Sequence, residues 1–409
     1  MDAMATPLTP LAPLNPPGAE PGPVPSCVLS RVPSRVQCVE LAHDLARAIA
    51  PYVGEAEQDR RAPRAAVDAL VASGLMPLVR PARYGGYEQG WMTFTDVLVP
   101  LAAQSGSLAW VLGFILHHQW ALAFFPRQAQ DEVYSHSADP RIASMFAPTG
   151  RAVAAPGGLR LSGEWSFSSG IDNCDWVILS ALVDTGEGGP PANYWFLMKP
   201  GQFEVKDVWH SVGLAGSGSN TVVVQDALVE PAFCFDTAAY GSGDVGTAVS
   251  GLTHPLHSSP PAGQFQYGLI GPMYAITRAL QEAVTGFNRK REGLLVPGRI
   301  ADDPYLQSGV GESETEIAAV YALMESFDEM ILRGEMKTPE TILRYRGAMG
   351  FAAKTLTRAG ERLFYQAGGR GLDTRNAISR HWRDLHAVTN HGALKHDSMF
   401  QGLGQFLLA

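Results

Sequence analysis

The chain has 409 residues, 46% of them hydrophobic and 17% charged, with a net charge of −9. This is the composition of a globular protein with a large core, not of a disordered chain. No apolar run reaches the ~20 residues that span a bilayer, and no cluster of Lys and Arg could track a phosphate backbone, which argues against membrane and nucleic acid as partners.

Residues 1–34 hold Pro7, Pro10, Pro13, Pro16, Pro17, Pro21, Pro23, Pro25 and Pro33 and little hydrophobic periodicity. Proline fixes φ and removes backbone donors, so a disordered arm is expected here. The N-terminus lacks the basic start and compact apolar stretch of a signal peptide. Cys27, Cys38, Cys174 and Cys234 form no C-x-x-C pair, so the pattern suggests reduced thiols in the cytoplasm. From about Val36, Val39, Leu41, Ala42, Leu45, Ile49 and Val53 recur at helical spacing. Further helices are expected around Ala65–Ser73, Thr93–Ala103 and Ser107–Phe125; the last is apolar nearly all round and should be buried. Together they form an N-terminal helical domain over 35–137.

Between 138 and 240 the pattern changes to short β-rich runs broken by Gly, Pro and Asp, which read as a small sheet or barrel. A Gly/Ser/His-rich loop comes next, from Tyr240 to about Pro261. Long helices over Gly263–Arg291, Ser313–Arg333 and Pro339–Gln366 then suit a four-helix bundle within 241–409. The fold class is α+β: helical domain, β domain, helical bundle.

Candidate chemistry lies in a few places. In the run Gly163–Gly170, strand alternation puts Trp165, Phe167 and Ser169 on one face and Ser166 and Ser168 on the other. An aromatic wall beside a hydroxyl suits a flat heteroaromatic ring with one polar edge. His117 and His118 are adjacent in the apolar helix and point about 100° apart, so at most one faces a site. The other reading is a core histidine satisfied by a backbone carbonyl. Ser144 enters the run M-F-A-P-T-G, where Phe146 and Gly150 stand. His381, His386, His391 and His396 are spaced by five, which is no metal face. Arg278, Arg289 and Arg291 line the start of the bundle, either as phosphate contacts or as a solvated helix end. G-L-A-G-S-G-S lies between strands and is not a dinucleotide fingerprint.

The segment LRLSGEWSFSSGIDNCDWVILSALV (Leu159–Val183) resembles the flavin-contacting region of the acyl-CoA dehydrogenase superfamily. It is most similar to the branch of two-component reduced-flavin monooxygenases that contains the p-hydroxyphenylacetate hydroxylase oxygenase components. IASMFAPTG, WHSVGLAGSGSNTVVV and HWRDLHAVTNHGALKHD support the resemblance. It implies an acyl-CoA dehydrogenase-like fold, with reduced flavin (FMNH2 or FADH2) and O2 as cofactor and co-substrate. It also implies a separate NAD(P)H:flavin reductase, a homo-oligomer (dimer or tetramer), and hydroxylation of a phenolic or polycyclic aromatic compound through a C4a-hydroperoxide.

By the same resemblance Ser169 places its hydroxyl against flavin N5, with Phe146, Gly150, Phe167 and Ser168 around the ring. His118 and Ser144 contact substrate. His391 draws off the phenol proton as a base, with His386 in reserve. Arg278, Arg289 and Arg291 meet the flavin phosphates, and Y-Q-A-G-G-R-G brings Gly368 and Gly369 to the cofactor, although its register is off by one. V-T-N-H-G stands where acyl-CoA dehydrogenases often carry a catalytic glutamate. Three alternatives stay open: an N- or S-oxygenase, an acyl-CoA dehydrogenase, and a non-enzymatic scaffold.

Overall fold

A computed structural model describes residues 32–184, 191–241, 249–293 and 298–409. Most of the expected proline-rich arm therefore lies outside the described residues. Helices α1 (Arg35–Ile49), α2 (Val53–Asp59), α3 (Arg64–Ala72), α4 (Trp91–Gln104), α5 (Gly106–Leu122) and α6 (Arg127–His136) come first. Strands β1 (Ile142–Ala155), β2 (Gly158–Ser168), β3 (Trp176–Val183), β4 (Ala192–Met198), β5 (Glu204–Lys206), β6 (Asn220–Val229) and β7 (Cys234–Asp236) come next. Helices α7 (Pro255–Ser258), α8 (Tyr267–Arg289), α9 (Pro304–Leu332), α10 (Pro339–Ala367), α11 (Ala377–Thr389) and α12 (His396–Leu408) complete the described chain.

The helix starts have local causes. Ser34 opens α1 with a capping box to Gln37, which satisfies two otherwise orphaned donors. The buried face of α1 is Cys38, Ala42, Leu45, Ala46 and Ile49, one residue round from the expected stripe at Val39 and Leu41. Thr338 caps α10 in the same way as Ser34 caps α1, with Pro339 at its first position. The N-terminus of α4 has no side-chain cap of its own. Asp328 of α9 supplies one across the interface, accepting from Trp91 N at 2.8 Å and Met92 N at 3.1 Å.

The strands form one mixed sheet in the order β5-β6-β2-β1-β3-β4-β7, with β1 and β3 parallel and the other pairs antiparallel. Two irregularities correct the sequence reading. The run A-P-T-G is no turn: β1 continues through it, with a register shift against β3 between Met145 and Gly150. Gly150 faces the Trp165 indole, and a Cβ there would lie 2.0 Å from Cζ2. Close packing inside the sheet is by itself enough to require glycine there. Strand alternation also fails in β2. Its pairing with β6 shifts between Trp165 and Ser168, and Phe167 takes φ +70°. A bulge of this kind re-aims side chains. Trp165 and Ser168 turn in and Phe167 turns out, 62% exposed.

Helix α5 is buried along almost its whole length, packed by α4, α8 and β1. Gly268 of α8 lets the helices close, since a Cβ there would meet the His117 ring at 2.6 Å.

The Gly150–Trp165 contact gives a direct stability test. Gly150→Ala should lower the free energy of unfolding by about 1–3 kcal/mol, the usual effect of overpacking a filled core. Gly404→Ala, where a Cβ meets nothing within 4 Å, should leave the urea midpoint unchanged or raise it.

Candidate active site

Three residues of α5 at four-residue spacing, Trp110, Phe114 and His118, lie on one face of that helix. The Trp110 and Phe114 rings meet edge-on at 4.5 Å between centroids, and Phe114 stacks on His118 at 5.4 Å. At one end of the row, His118 Nδ1 lies 2.6 Å from the Ile142 carbonyl. A carbonyl only accepts, so Nδ1 carries the hydrogen and Nε2 is a lone pair. Ser144 Oγ stands 2.7 Å from that Nε2 and donates to it. Ile142 and Ser144, two residues apart on β1, therefore hold both edges of the ring. Burial pushes the His118 imidazole down to about 4, the Ile142 carbonyl opposing, so the ring is neutral at neutral pH. The hydroxyl of Ser144 spends its hydrogen on His118 and keeps its own lone pairs for another donor.

His117 points elsewhere. It is buried among Trp91, Trp120, Phe94 and Phe265, and neither ring nitrogen has a hydrogen-bond partner among the described residues. Burial holds it neutral.

At the other end of the row, Trp110 Nε1 donates to Ser169 Oγ at 3.0 Å. Ser169 Oγ lies 2.8 Å from Ser219 Oγ, which lies 2.7 Å from Ser217 Oγ. The turn after β2 is fixed by Gly170, at φ +72°, whose amide donates to the Ser217 carbonyl at 2.9 Å. A Cβ at Gly170 would press on Val111 of α5 at 2.8 Å. His391 caps the short turn Gly392–Leu394, its Nδ1 accepting from Ala393 N at 3.2 Å. Its ring stands 6.1 Å from Trp110, and burial pushes it down to about 4.

The structure thus gathers Ser144, His118, Ser169 and His391 around one helix face. Phe146 joins them, 6.2 Å from His118, 4.5 Å from Trp195 and 5.1 Å from Phe265. His386 is not brought there: it faces Glu361 of α10 and the Trp382 ring at 4.6 Å. Arg278 is held by Glu314 at 2.7 Å. Arg289 lines a cavity of about 600 Å3 at the end of α8 with Arg278, Asn288 and Gln307. Arg291 donates to the Ala367 carbonyl at 2.8 Å, beside Gly368 and Gly369. Arg289 is 21 residues beyond Gly268, which is about 30 Å along a helix from the contact with α5.

Residues missed by the sequence reading are Trp110, Phe114, Ser217 and Ser219. The four-residue spacing of Trp110, Phe114 and His118 was a readable signal. The pairing of Ser219 with Ser169 crosses fifty positions and was not.

The last part of the chain carries a recognisable domain: residues 271–396 match the family described as acyl-CoA dehydrogenase, C-terminal domain. Over the whole length, the FADH2-dependent resorcinol hydroxylase oxygenase component of Rhizobium sp. (strain MTP-10005) is 31% identical over 370 residues, 87% of this chain and 90% of that protein. This chain belongs to the oxygenase components of flavin-dependent monooxygenases. Solved structures agree. The HsaA monooxygenase of M. tuberculosis is 28% identical with a TM-score of 0.84, over 92% of this chain and 98% of that one. XiaF from Streptomyces sp., in complex with FADH2 and glycerol, is 28% identical with the same TM-score of 0.84, over 91% of this chain and 95% of that one. The oxygenase uses reduced flavin and dioxygen, and the acyl-CoA dehydrogenase and scaffold alternatives fall away.

The residues present fit a flavin. Phe167 is turned outward beside Trp209, 6.1 Å between rings, next to the hydroxyl chain of Ser169, Ser219 and Ser217. Ser168 Oγ is buried without a hydrogen-bond partner among the described residues, and burying a hydroxyl unpaired costs about 1–3 kcal/mol. A ring with polar edge atoms on the Phe167 surface would meet the hydroxyl chain at Ser169, while Ser168 faces the interior.

The oxygenase's site is tied to α11 by one carboxylate. Asp384 Oδ1 accepts from Leu214 N at 2.7 Å, and its Oδ2 faces Gly106 at the start of α5. Burial, with Glu57 adding, pushes the Asp384 carboxyl up from 3.8 to about 7. A folded-state value raised above the unfolded one gives stability that is present below pH ~4 and lost as pH rises to 7. Asp384→Asn removes this titration. In thermal melts the variant should gain on the wild type as pH rises from 4 to 7, by at most about 4 kcal/mol; equal pH dependence in both proteins contradicts the assignment.

Proposed function

We propose that this oxygenase hydroxylates a phenol, held by its hydroxyl group at Ser144. The observation that carries the reading is the chain Ser144–His118–Ile142. Ser144 Oγ is 2.7 Å from His118 Nε2, whose other nitrogen is committed to the Ile142 carbonyl. A phenol O–H donates to Ser144, Ser144 donates to His118, and the imidazole can take the proton at Nε2 while its Nδ1–H stays on the carbonyl. The relay withdraws the phenol proton as charge builds on the ring, the general-base contribution that makes an aromatic carbon a better nucleophile. Phe114, Phe146 and Phe265 supply apolar walls suited to an aromatic ring.

His391 takes a different part from the one the resemblance implies. Its Nδ1 accepts the Ala393 amide, so the neutral ring carries its hydrogen on Nε2 and has no free lone pair with which to take a proton. It stands at the Trp110 end of the row, where its Nε2–H serves as a donor to a polar atom of the bound molecules remote from Ser144. Reduced flavin, when bound, supplies the electrons that activate dioxygen for transfer to carbon. Ser169 offers a hydroxyl to its polar edge and Phe167 an aromatic face. The reduced flavin comes from a separate NAD(P)H:flavin reductase, and cytoplasm is the compartment that supplies both. Cys38, Cys174 and Cys234 are free thiols, as a reducing compartment favours. Arg289 and Arg291 lie about 30 Å along α8 from the α5 contact, so they belong to the flavin of a second copy, in a homo-oligomer detectable by light scattering.

The test uses the whole protein with FMNH2 or FADH2 supplied and resorcinol-type phenols compared with their O-methyl ethers. The phenols should be hydroxylated with little free peroxide. The ethers, with no O–H to give Ser144, should lose product by about 100-fold and divert oxygen to peroxide. Ethers hydroxylated as well as phenols would remove the hydroxyl from the account, and an amine or a thioether turned over in their place would favour N- or S-oxidation.

A further inference from the structure

Glu88, His254 and His257 form a cluster outside the site just described. Their ligand-capable atoms all lie within 4.8 Å of one another. His254 caps the short helix α7 and His257 is its third residue, so the i,i+3 spacing puts both rings on one side. The ring centroids are 6.0 Å apart. Glu88 comes from the loop before α4.

The tautomer of His257 is fixed by its surroundings. The residue is fully buried, and its Nε2 lies 2.9 Å from the Val79 carbonyl. The carbonyl accepts, so Nε2 holds a hydrogen and Nδ1 is the ring nitrogen left to face outward. That Nδ1 has no hydrogen-bond partner among the described residues, yet it stands 3.5 Å from Glu88 Oε1. Two acceptors facing each other at this distance call for a positive charge between them, either a proton or a metal ion. A third donor atom, on His254, lies within 4.8 Å of both and favours the metal. A ligating histidine whose other nitrogen donates to a backbone carbonyl is the arrangement that orients metal-binding imidazoles.

The dimensions agree. Zinc bonds to nitrogen and oxygen of about 2.1 Å in a tetrahedron put neighbouring ligand atoms about 3.4 Å apart, and the Nδ1–Oε1 edge is already 3.5 Å. His254 must close in. Its Nδ1 now accepts from Leu256 N at a long 3.3 Å, a contact given up when the ring turns to bind. Glu88 is held at φ +51°, the left-handed region that costs a residue with a Cβ about 1–2 kcal/mol. Such strain persists where the surroundings over-determine it.

We propose that Glu88, His254 and His257 bind a divalent transition-metal ion, Zn2+ being the best match to two imidazoles and one carboxylate. The ion is a structural clip. It joins the N-terminal helices, through Glu88, to the segment that leads from the sheet into the bundle. That segment touches α5 directly, because Trp120 Nε1 donates to the Leu256 carbonyl at 2.9 Å.

The test is equilibrium dialysis of the chelator-treated full chain against Zn2+, with thermal melts at each concentration. One equivalent should bind and raise Tm, because a ligand that binds only the folded state stabilises it. His254→Ser, which keeps a capping oxygen at the start of α7, and Glu88→Gln should each weaken binding by roughly 100-fold and abolish the Tm rise. Exposed His43→Ala should change neither. No stoichiometric binding, or binding unchanged in His254→Ser and Glu88→Gln, overturns the proposal and leaves His257 and Glu88 as an ion pair only.

Discussion

The architecture depends on the burial of one helix. α5 is apolar on nearly every side, so it can be stable only where α4, α8 and β1 cover it together. That requirement fixes the relation of the helical domain, the sheet and the bundle at one place. It also places Trp110, Phe114 and His118 in a row whose ends meet residues from elsewhere: Ser169 after β2, Ser144 on β1, and His391 after α11. A site built this way is rigid, because each side chain is locked by packing as well as by a hydrogen bond.

Part of the irregular backbone lies beside that row. Phe167 sits at φ +70°, Leu214 at φ +50° and Gly218 at φ +53°. The bulge in β2 turns Phe167 outward and Ser168 inward, and the loop of Leu214 and Gly218 brings Ser217 and Ser219 to Ser169. Asp384 anchors this loop to the start of α5 and to α11. Left-handed conformations at residues with a Cβ persist where the surrounding contacts compel them, and here those contacts define the hydroxyl chain.

Much of this was legible in the sequence. The order of helices, strands and helices came from periodicity, and the buried character of α5 from its lack of a polar face. Ser144, His118, Ser169 and His391 were singled out, and all four meet at one helix face. The failures have a common physical origin. Strand alternation cannot foresee a bulge, so the faces of Phe167 and Ser168 came out reversed. The run A-P-T-G was read as a turn, when β1 continues through it and packs Gly150 on Trp165. Capping of a three-residue turn by His391 depends on a backbone amide two positions on, and this local geometry decides which nitrogen carries the hydrogen. His386 was spaced like its neighbours, but only the packing of α10 against α11 shows it facing Glu361.

The central claim is that Ser144 and His118 act as one proton-accepting unit toward a phenol. A double-mutant cycle of Ser144→Ala and His118→Asn, read as kcat/KM with saturating reduced flavin, tests it most directly. Each single change should reduce kcat/KM by about 100-fold and the double variant should be no worse than the poorer single, a coupling of about 2–3 kcal/mol. Strict additivity, with the double variant down by about 10,000-fold, would mean two independent contacts and would contradict the relay.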